Sequence, residues 1–347
     1  FFFSSRRRHT RCSGVSGLGD VYKRQPWLGQ KTVNWSRLNR QGQKVALATV
    51  LQTWGSSPRP IGAQLAVCED GSFFGSVSGG CVEGAVVLEA LEILKKGECK
   101  FLEYGVTDED AFAVGLACGG SIQLMIEPVG FGQGIEVSTL EALESAQLKR
   151  QAIGLKVNLE TWSRELILPS SHPKYFVQGI SGVKENIYTH VQKPPLRLIV
   201  IGAVHIAQFL APMAQIVGYD VTIIDPRASF ASSKRFPDQK LIVDWPADAL
   251  ATIKIDDRTA LVTLTHDPKM DLPSLTEILK TEAFYVGALG SLRTHSERRR
   301  TLLASGLTAE DFDRIQGPVG LPIGSKSPSE IALSILAAIT KRLRTEM

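Results

Sequence analysis

The clearest hydrophobic pattern lies in the second half of the chain, where short aliphatic runs alternate with segments of helical spacing. LRLIVIG, DVTIID, LIVD, ALVTLTHD and AFYVGALG are short, apolar and bounded by glycine or acidic residues, as buried parallel strands are. Between them, AVHIAQFLAPMAQIV and DLPSLTEILK carry apolar residues at helical spacing, and Ser327-Pro328 opens a last helix that runs to Arg344. This alternation predicts a Rossmann-like doubly wound domain, a parallel sheet with helices on both faces.

The first half of the chain has a different pattern. KVALATVL, from Lys44 to Leu51, predicts a strand, and SIQLMIEP alternates apolar and polar residues as a half-buried strand does. Val82–Lys96 predicts a helix that Gly97 ends, and a second helix is expected near Val137–Arg150, followed by several short strands. We therefore expect a mixed α+β domain ahead of the Rossmann-like one.

The boundary between the two patterns lies at Gln192-Lys193-Pro194-Pro195, because two prolines favour an extended linker. We predict an N-terminal domain at 26–190 and a C-terminal domain at 191–347. Residues 1–25 place an aromatic triplet ahead of their arginines, the reverse of a secretory signal. We expect this stretch to be a non-native or disordered leader that resembles translated sequencing-adapter sequence.

Composition narrows the class of protein. The chain has 347 residues and a formal charge of +4, but residues 1–25 hold six basic residues against Asp20 alone, so the remainder is near neutral. A near-neutral body gives no reason to expect nucleic acid or an acidic membrane surface as a partner. No apolar run is long enough to cross a bilayer. Five widely spaced cysteines favour free thiols in a reducing cytoplasm over a disulfide framework.

Two of those cysteines lie in glycine-rich loops of the first half. Cys81 follows Gly79-Gly80 at the start of a predicted helix, in GSVSGGCVEGAVV, and Cys118 precedes Gly119-Gly120 just before a predicted strand. Glycine loops expose backbone amides that suit an anionic ligand, and further donors are available nearby, namely Ser56, Ser57, Arg59 and Ser78. The alternative is that both cysteines are small buried residues in tight turns.

A nucleotide-type turn stands in the second half. Gly202 ends a predicted strand, His205 opens the following helix, and Asp225 lies 23 residues after Gly202, where a ribose-binding acid would lie. Val204, however, stands where the fingerprint needs a glycine for close approach of a pyrophosphate. The pattern favours the fold over binding of NAD(P), which stays an alternative.

Several motifs in order resemble the XdhC/CoxI family. They are GSSPRPIGAQLAV, GSVSGGCVEGAVV, GLACGGSIQLMIEP, LIVIGAVHIAQ, VTIIDPRASFASSKRFP, LTHDPKMD, FYVGALGSLRTHSERR and GPVGLPIGSKSPSEIALSILAAI. The resemblance runs from about Val45 to the C-terminus. It implies an accessory protein that binds and protects the molybdenum cofactor, supports its sulfuration by a cysteine desulfurase, and delivers it to an apo molybdenum hydroxylase. The family's habits, together with the frequency of symmetric dimers among soluble proteins, lead us to expect a homodimer, and the cysteine pattern predicts a cytoplasmic protein.

On this resemblance we expect Cys81 to face the cofactor as a soft ligand of its metal, with Cys118 close by. The anionic end of the cofactor would meet Ser56, Ser57, Arg59, Ser78, Gly79 and Gly80. Two other functions stay open: a NAD(P)-dependent oxidoreductase or cofactor-modifying enzyme that uses the Rossmann-like domain, and an adaptor that binds the hydroxylase without touching cofactor.

Overall fold

The computed structural model describes residues 43–55, 59–105 and 120–345. The strands of the first part are β1 Val45–Trp54, β2 Gln64–Cys68, β3 Phe73–Gly75, β4 Lys100–Tyr104, β5 Ser121–Pro128, β6 Ile153–Asn158, β7 Arg164–Ile167, β8 Gly182–Lys184 and β9 Ile187–Gln192. The helices of this part are α1 Glu83–Lys96, α2 Val137–Leu148 and α3 Pro173–Gln178.

These strands form two antiparallel sheets in the first part of the chain. The five-stranded sheet has the order β3-β2-β1-β5-β4, and the four-stranded sheet has the order β7-β6-β9-β8. Helix α1 buries Val86, Ala90 and Ile93 against one face of the first sheet. The other face packs through Leu47 and Met125 against α2 and the second sheet. The predicted mixed α+β architecture is confirmed.

Strand β1 runs beyond the predicted end at Leu51. Its register with β5 shifts between Val50 and Gln52 and then continues to the pair of Trp54 with Ser121. A bulge of this kind inserts an extra residue without ending the pairing, so β1 continues past the apolar run from which the strand was predicted.

The second part of the chain forms the predicted doubly wound domain. Its strands are β10 Arg197–Ile201, β11 Asp220–Ile224, β12 Lys240–Ile242, β13 Thr259–Thr263, β14 Tyr285–Ala288 and β15 Ile315–Gln316. Its helices are α4 His205–Ile216, α5 Pro246–Ala251, α6 Pro268–Leu279, α7 Leu292–Ala304, α8 Ala309–Asp313 and α9 Pro328–Thr345. The six strands pair in parallel in the order β12-β11-β10-β13-β14-β15. Helices α4 and α9 cover one face, while α5, α6 and α7 cover the other.

The two parts meet beside the short connection from Gln192 to Arg197. Arg150, just after α2, forms two hydrogen bonds to the Asp256 carboxylate, from Nε at 2.9 Å and from Nη2 at 3.0 Å. Arg258 donates from Nε to the Pro194 carbonyl. Among the described helices, none is both long and apolar enough to cross a lipid bilayer.

Candidate functional site

One edge of the five-stranded sheet gathers the ends of several strands that border the predicted cysteine loops. Gly75, the last residue of β3, pairs with Leu65 near the start of β2, and Tyr104 at the end of β4 pairs with Ile122 near the start of β5. The loop from Ser76 to Val82, which carries Cys81, therefore begins at the same edge at which Gly105 and Gly120 lie. Ser56, Ser57, Cys118 and Gly119 lie outside the described residues, so their predicted places in the site stay predictions.

The Cys81 loop is organised around the carboxylate of Glu83. Oε1 accepts hydrogen bonds from Val77 N at 3.1 Å, Ser78 N at 2.9 Å, Gly79 N at 3.0 Å and the Ser76 hydroxyl at 2.7 Å. Oε2 accepts from Gly80 N at 2.8 Å and from the Ser78 hydroxyl. Four successive amides thus converge on one internal carboxylate. Sequence reasoning missed Glu83; the only local signal was an acid in the first helical turn directly after an amide-rich loop.

The conformation of the loop requires glycine at two successive positions. Gly79 has φ of 83° and Gly80 has φ of 124°, values that side-chain-bearing residues rarely adopt. A Cβ built on Gly80 meets no atom within 4 Å, so the requirement there is conformational and one side of the loop is open. The Ser78 hydroxyl also accepts from Val82 N at 3.0 Å, which ties the loop to the start of α1.

The charge of Glu83 is stable over the physiological range. Burial opposes ionisation, but hydrogen bonds from Ser78 and Ser76 outweigh it and lower the pKa of Glu83 to about 2. A charged carboxylate therefore occupies the amides of Gly79 and Gly80 that the sequence suggested for an external anion. Their contact with a ligand stays a prediction, and it would require the ligand to displace Glu83.

Cys81 itself is a free, half-buried thiol on this loop. It packs at the margin of the core cluster beneath α1 and directly follows Gly80, where the loop is open on one side. Arg59 donates from Nε to the Ser76 carbonyl at 3.1 Å, so this predicted anion-binding residue touches the same loop. The structure thus brings together Arg59, Ser78, Gly79, Gly80 and Cys81.

The donor set fits a molybdenum cofactor at its soft end. A thiol that is neither sealed in the core nor paired in a disulfide is the ligand type that a soft metal centre prefers. Among the residues that the structure describes, no group of three or more His, Cys, Asp or Glu is arranged to hold a metal ion. Cys81 as a metal ligand therefore stays a prediction, as a single thiol on an open loop.

In the nucleotide-type turn of the second domain, the acidic residue is already bonded to groups of the protein. Asp225 is fully buried and accepts from Ala203 N at 2.8 Å and from Arg227 at Nε and Nη2, at 2.8 and 2.7 Å. Burial alone would raise the pKa of Asp225, but the hydrogen bonds from Arg227 hold that pKa below its usual value. His205 is exposed at the start of α4 and contacts the Phe209 ring.

Thr265 packs against the same turn. Gly202 has φ of 102°, and a Cβ built there would overlap the Thr265 methyl carbon. The turn after the first strand is where a Rossmann domain receives a pyrophosphate, and Val204 stands there in place of a glycine.

Comparison with known protein families gives two matches along the chain. Residues 38–105 match the XdhC and CoxI family, and residues 198–339 match the XdhC Rossmann domain. The chain is also 33% identical over 306 residues to the molybdenum cofactor insertion chaperone PaoD of Escherichia coli, covering 88% of this chain and 86% of that one. The chain belongs to the XdhC and CoxI family. The resemblance inferred from its motifs is thereby confirmed.

Two further relatives agree with this membership. The chain is 26% identical over 317 residues to a probable xanthine dehydrogenase subunit of Bacillus subtilis, covering 86% of this chain and 92% of that protein. A crystal structure described as a xanthine dehydrogenase from Bacillus halodurans superposes with a TM-score of 0.75 at 28% identity, covering 90% of this chain and 95% of that one. The fold of this XdhC and CoxI family member is thus shared over 90% of its length.

Proposed function

We propose that this protein is a molybdenum-cofactor-binding chaperone that serves the maturation of a molybdenum hydroxylase. The observation that carries the proposal is the placement of Cys81, a free half-buried thiol on a loop whose backbone is fixed by Glu83 and open beside Gly80. The name of the relative PaoD, a molybdenum cofactor insertion chaperone of similar length, supports it.

On this proposal the chain contributes a soft sulfur ligand and a set of polar groups at one sheet edge. The cofactor, when bound, supplies a sulfur-rich metal centre and an anionic tail. Cys81 holds the soft end. Arg59, together with Ser56, Ser57 and Cys118 from the neighbouring stretches, is proposed for the remainder, because the amides of Gly79 and Gly80 already serve Glu83.

Three finer elements belong to the same proposal. The chaperone would support sulfuration of the cofactor by a cysteine desulfurase, deliver it to the apo hydroxylase, and act as a homodimer. A single thiol ligand suits such transfer, because one metal–sulfur bond can be exchanged for a ligand of the recipient enzyme, whereas a closed cage of ligands could not release its cargo readily. Delivery is measurable as activity gained by purified apo hydroxylase on mixing.

The test uses protein purified from cells that make molybdopterin, assayed for bound pterin and for molybdenum. Cys81→Ser should lower both at least about tenfold, since sulfur is lost while size and polarity are nearly kept. Cys99→Ser is the matched control, because Cys99 is also a free half-buried thiol of the same domain, bonded instead to the Gln133 carbonyl. Wild-type retention of pterin by Cys81→Ser would remove Cys81 from the proposal, and absence of pterin from the wild type would remove the function.

A NAD(P)-dependent activity gains no support from the second domain. The acid that a ribose would need is bonded to Arg227 and to the turn, and Thr265 lies against Gly202. The chaperone proposal therefore uses the Rossmann-like domain as scaffold or docking surface rather than as a nucleotide site.

A further inference from the structure

The loop that carries Cys81 lies between β3 and α1 and belongs to neither. Its first amide, Ser76 N, still bonds to the Gln64 carbonyl, and helical bonding begins when Val86 N donates to the Val82 carbonyl. Between these points, the amides of residues 77–80 find their acceptor in the Glu83 carboxylate. Val77 and Ser78 are buried, and a buried amide without an acceptor is costly, so the Glu83 side chain holds this segment in its shape.

We propose that Glu83 is the positioning residue that sets the orientation of Cys81 toward its ligand. This proposal rests on the proposed function, since it assigns the geometry of the same thiol. Glu83 is suited to this role because it is the first residue of α1, only 8% exposed, and anchored by a helix whose apolar side packs on the sheet. Its carboxylate therefore links the rigid core to the backbone of a glycine-rich loop.

The sequence predicted that both the loop amides and the Cys81 thiol would contact an external ligand, whereas in the structure the amides have a different acceptor. Four amides that converge on one point form a site for an anion, and here an internal anion takes that place. The amides of the loop consequently face the internal carboxylate, which leaves the half-buried Cys81 thiol and the open side of Gly80 for contact with a ligand. Glu83 thereby acts through Cys81 and does not itself contact the ligand.

Glu83→Gln tests this assignment with almost no change of shape. The amide oxygen can keep the bonds made by Oε1, but the NH₂ group meets the N–H of Gly80, the residue directly before Cys81, and two donors then face each other. Glu92→Gln is the matched control, because Glu92 lies on the same helix and forms an exposed pair with Lys95 away from the loop. Both variants are compared with the wild type for retained pterin and for the rate at which iodoacetamide alkylates Cys81, followed by peptide mass spectrometry.

We expect Glu83→Gln to lower retained pterin at least about fivefold and to raise the Cys81 alkylation rate at least about threefold. Both effects follow because the Gly80 amide loses its charge-assisted hydrogen bond to the carboxylate. Cys99, alkylated in the same sample, should keep its wild-type rate, and Glu92→Gln should leave every readout unchanged. If Cys99 were accelerated as much as Cys81, the variant would have loosened the domain as a whole, and the assignment would be overturned. An unchanged alkylation rate at Cys81 would also overturn it.

A second variant tests the same role in case Glu83→Gln fails to fold. Ser76→Ala removes a hydroxyl that donates to Glu83 and accepts from Gly79 N, and it leaves the charge in place. It should shift both readouts in the same direction by a smaller factor. If wild-type protein retains no pterin, the proposed function fails, and the Cys81 and Cys99 alkylation rates then decide the positioning role alone.

Discussion

Replacement of Gly202 by alanine is the sharpest test of how the Rossmann-like turn is built. Gly202 has φ of 102°, and the new methyl group would overlap the Thr265 methyl carbon and come within 3.5 Å of the Thr265 amide nitrogen. The backbone conformation costs an L-residue roughly 1–2 kcal/mol, and overpacking of a closed site costs about 1–3 kcal/mol. We therefore expect Gly202→Ala to lower the free energy of unfolding by about 2–5 kcal/mol.

A control variant and a double variant separate these two contributions. Gly306 has a similar φ of 99°, but a Cβ built there meets nothing within 4 Å, so Gly306→Ala should show the backbone cost alone. Thr265→Ser removes the obstructing methyl and keeps the hydroxyl, which donates to Asp271 at 2.6 Å and accepts from Asp267 N at 3.1 Å. The cost of Gly202→Ala should accordingly fall by about 1–3 kcal/mol when it is measured in a Thr265→Ser background.

The assay is urea unfolding followed by far-UV circular dichroism, with the midpoint and slope fitted for each variant. Gly202 and Gly306 both lie in the second domain, so any stepwise unfolding of the two-domain chain affects both comparisons alike. If Gly202→Ala costs no more than Gly306→Ala, or if Thr265→Ser recovers nothing, then Thr265 does not pack tightly against Gly202 and this account of the turn is wrong.

Three further predictions follow from charged groups. Because the pKa of Glu83 is lowered to about 2, its contribution to stability is complete above the ordinary carboxyl pKa near 4.5 and is lost as the pH falls toward 2. Urea unfolding between pH 7 and 3 should therefore show the difference in unfolding free energy between wild type and Glu83→Gln narrowing below pH 4.5. A difference that stays constant with pH would contradict this. Arg150→Gln removes both hydrogen bonds to Asp256, whose side chain is 19% exposed, and should lower the free energy of unfolding by about 1–3 kcal/mol. It should also speed proteolysis at residues 193–196, and an unchanged cleavage rate would show that this pair does not join the domains. Titration with NADH or NADPH, followed by nicotinamide fluorescence, should show no saturation at micromolar concentration because Asp225 is already bonded to Arg227; saturable binding would restore the oxidoreductase alternative.

Much of the second domain follows from local sequence. The run Leu198–Ile201 is apolar and is followed by Gly202, and its neighbours alternate with helical segments, so a parallel sheet could be predicted before any contact was known. The strands of 153–192 were only roughly predictable, because β8 has three residues and its pairing with β9 leaves too short a pattern to identify.

The sequence by itself determined the fold class and the family, because each depends on local period or on a contiguous motif, and it singled out Cys81 and Cys118 as candidate thiols. It did not determine that Glu83 fills the amides of Gly79 and Gly80, or that Thr265 lies against Gly202. Thr265 is 63 residues from Gly202 in the chain, so only the pairing of β10 with β13 brings them together. The Thr265 contact depends on how the strands of the sheet assemble, whereas the Glu83 contacts are local in sequence but depend on a loop conformation that the residue pattern does not specify.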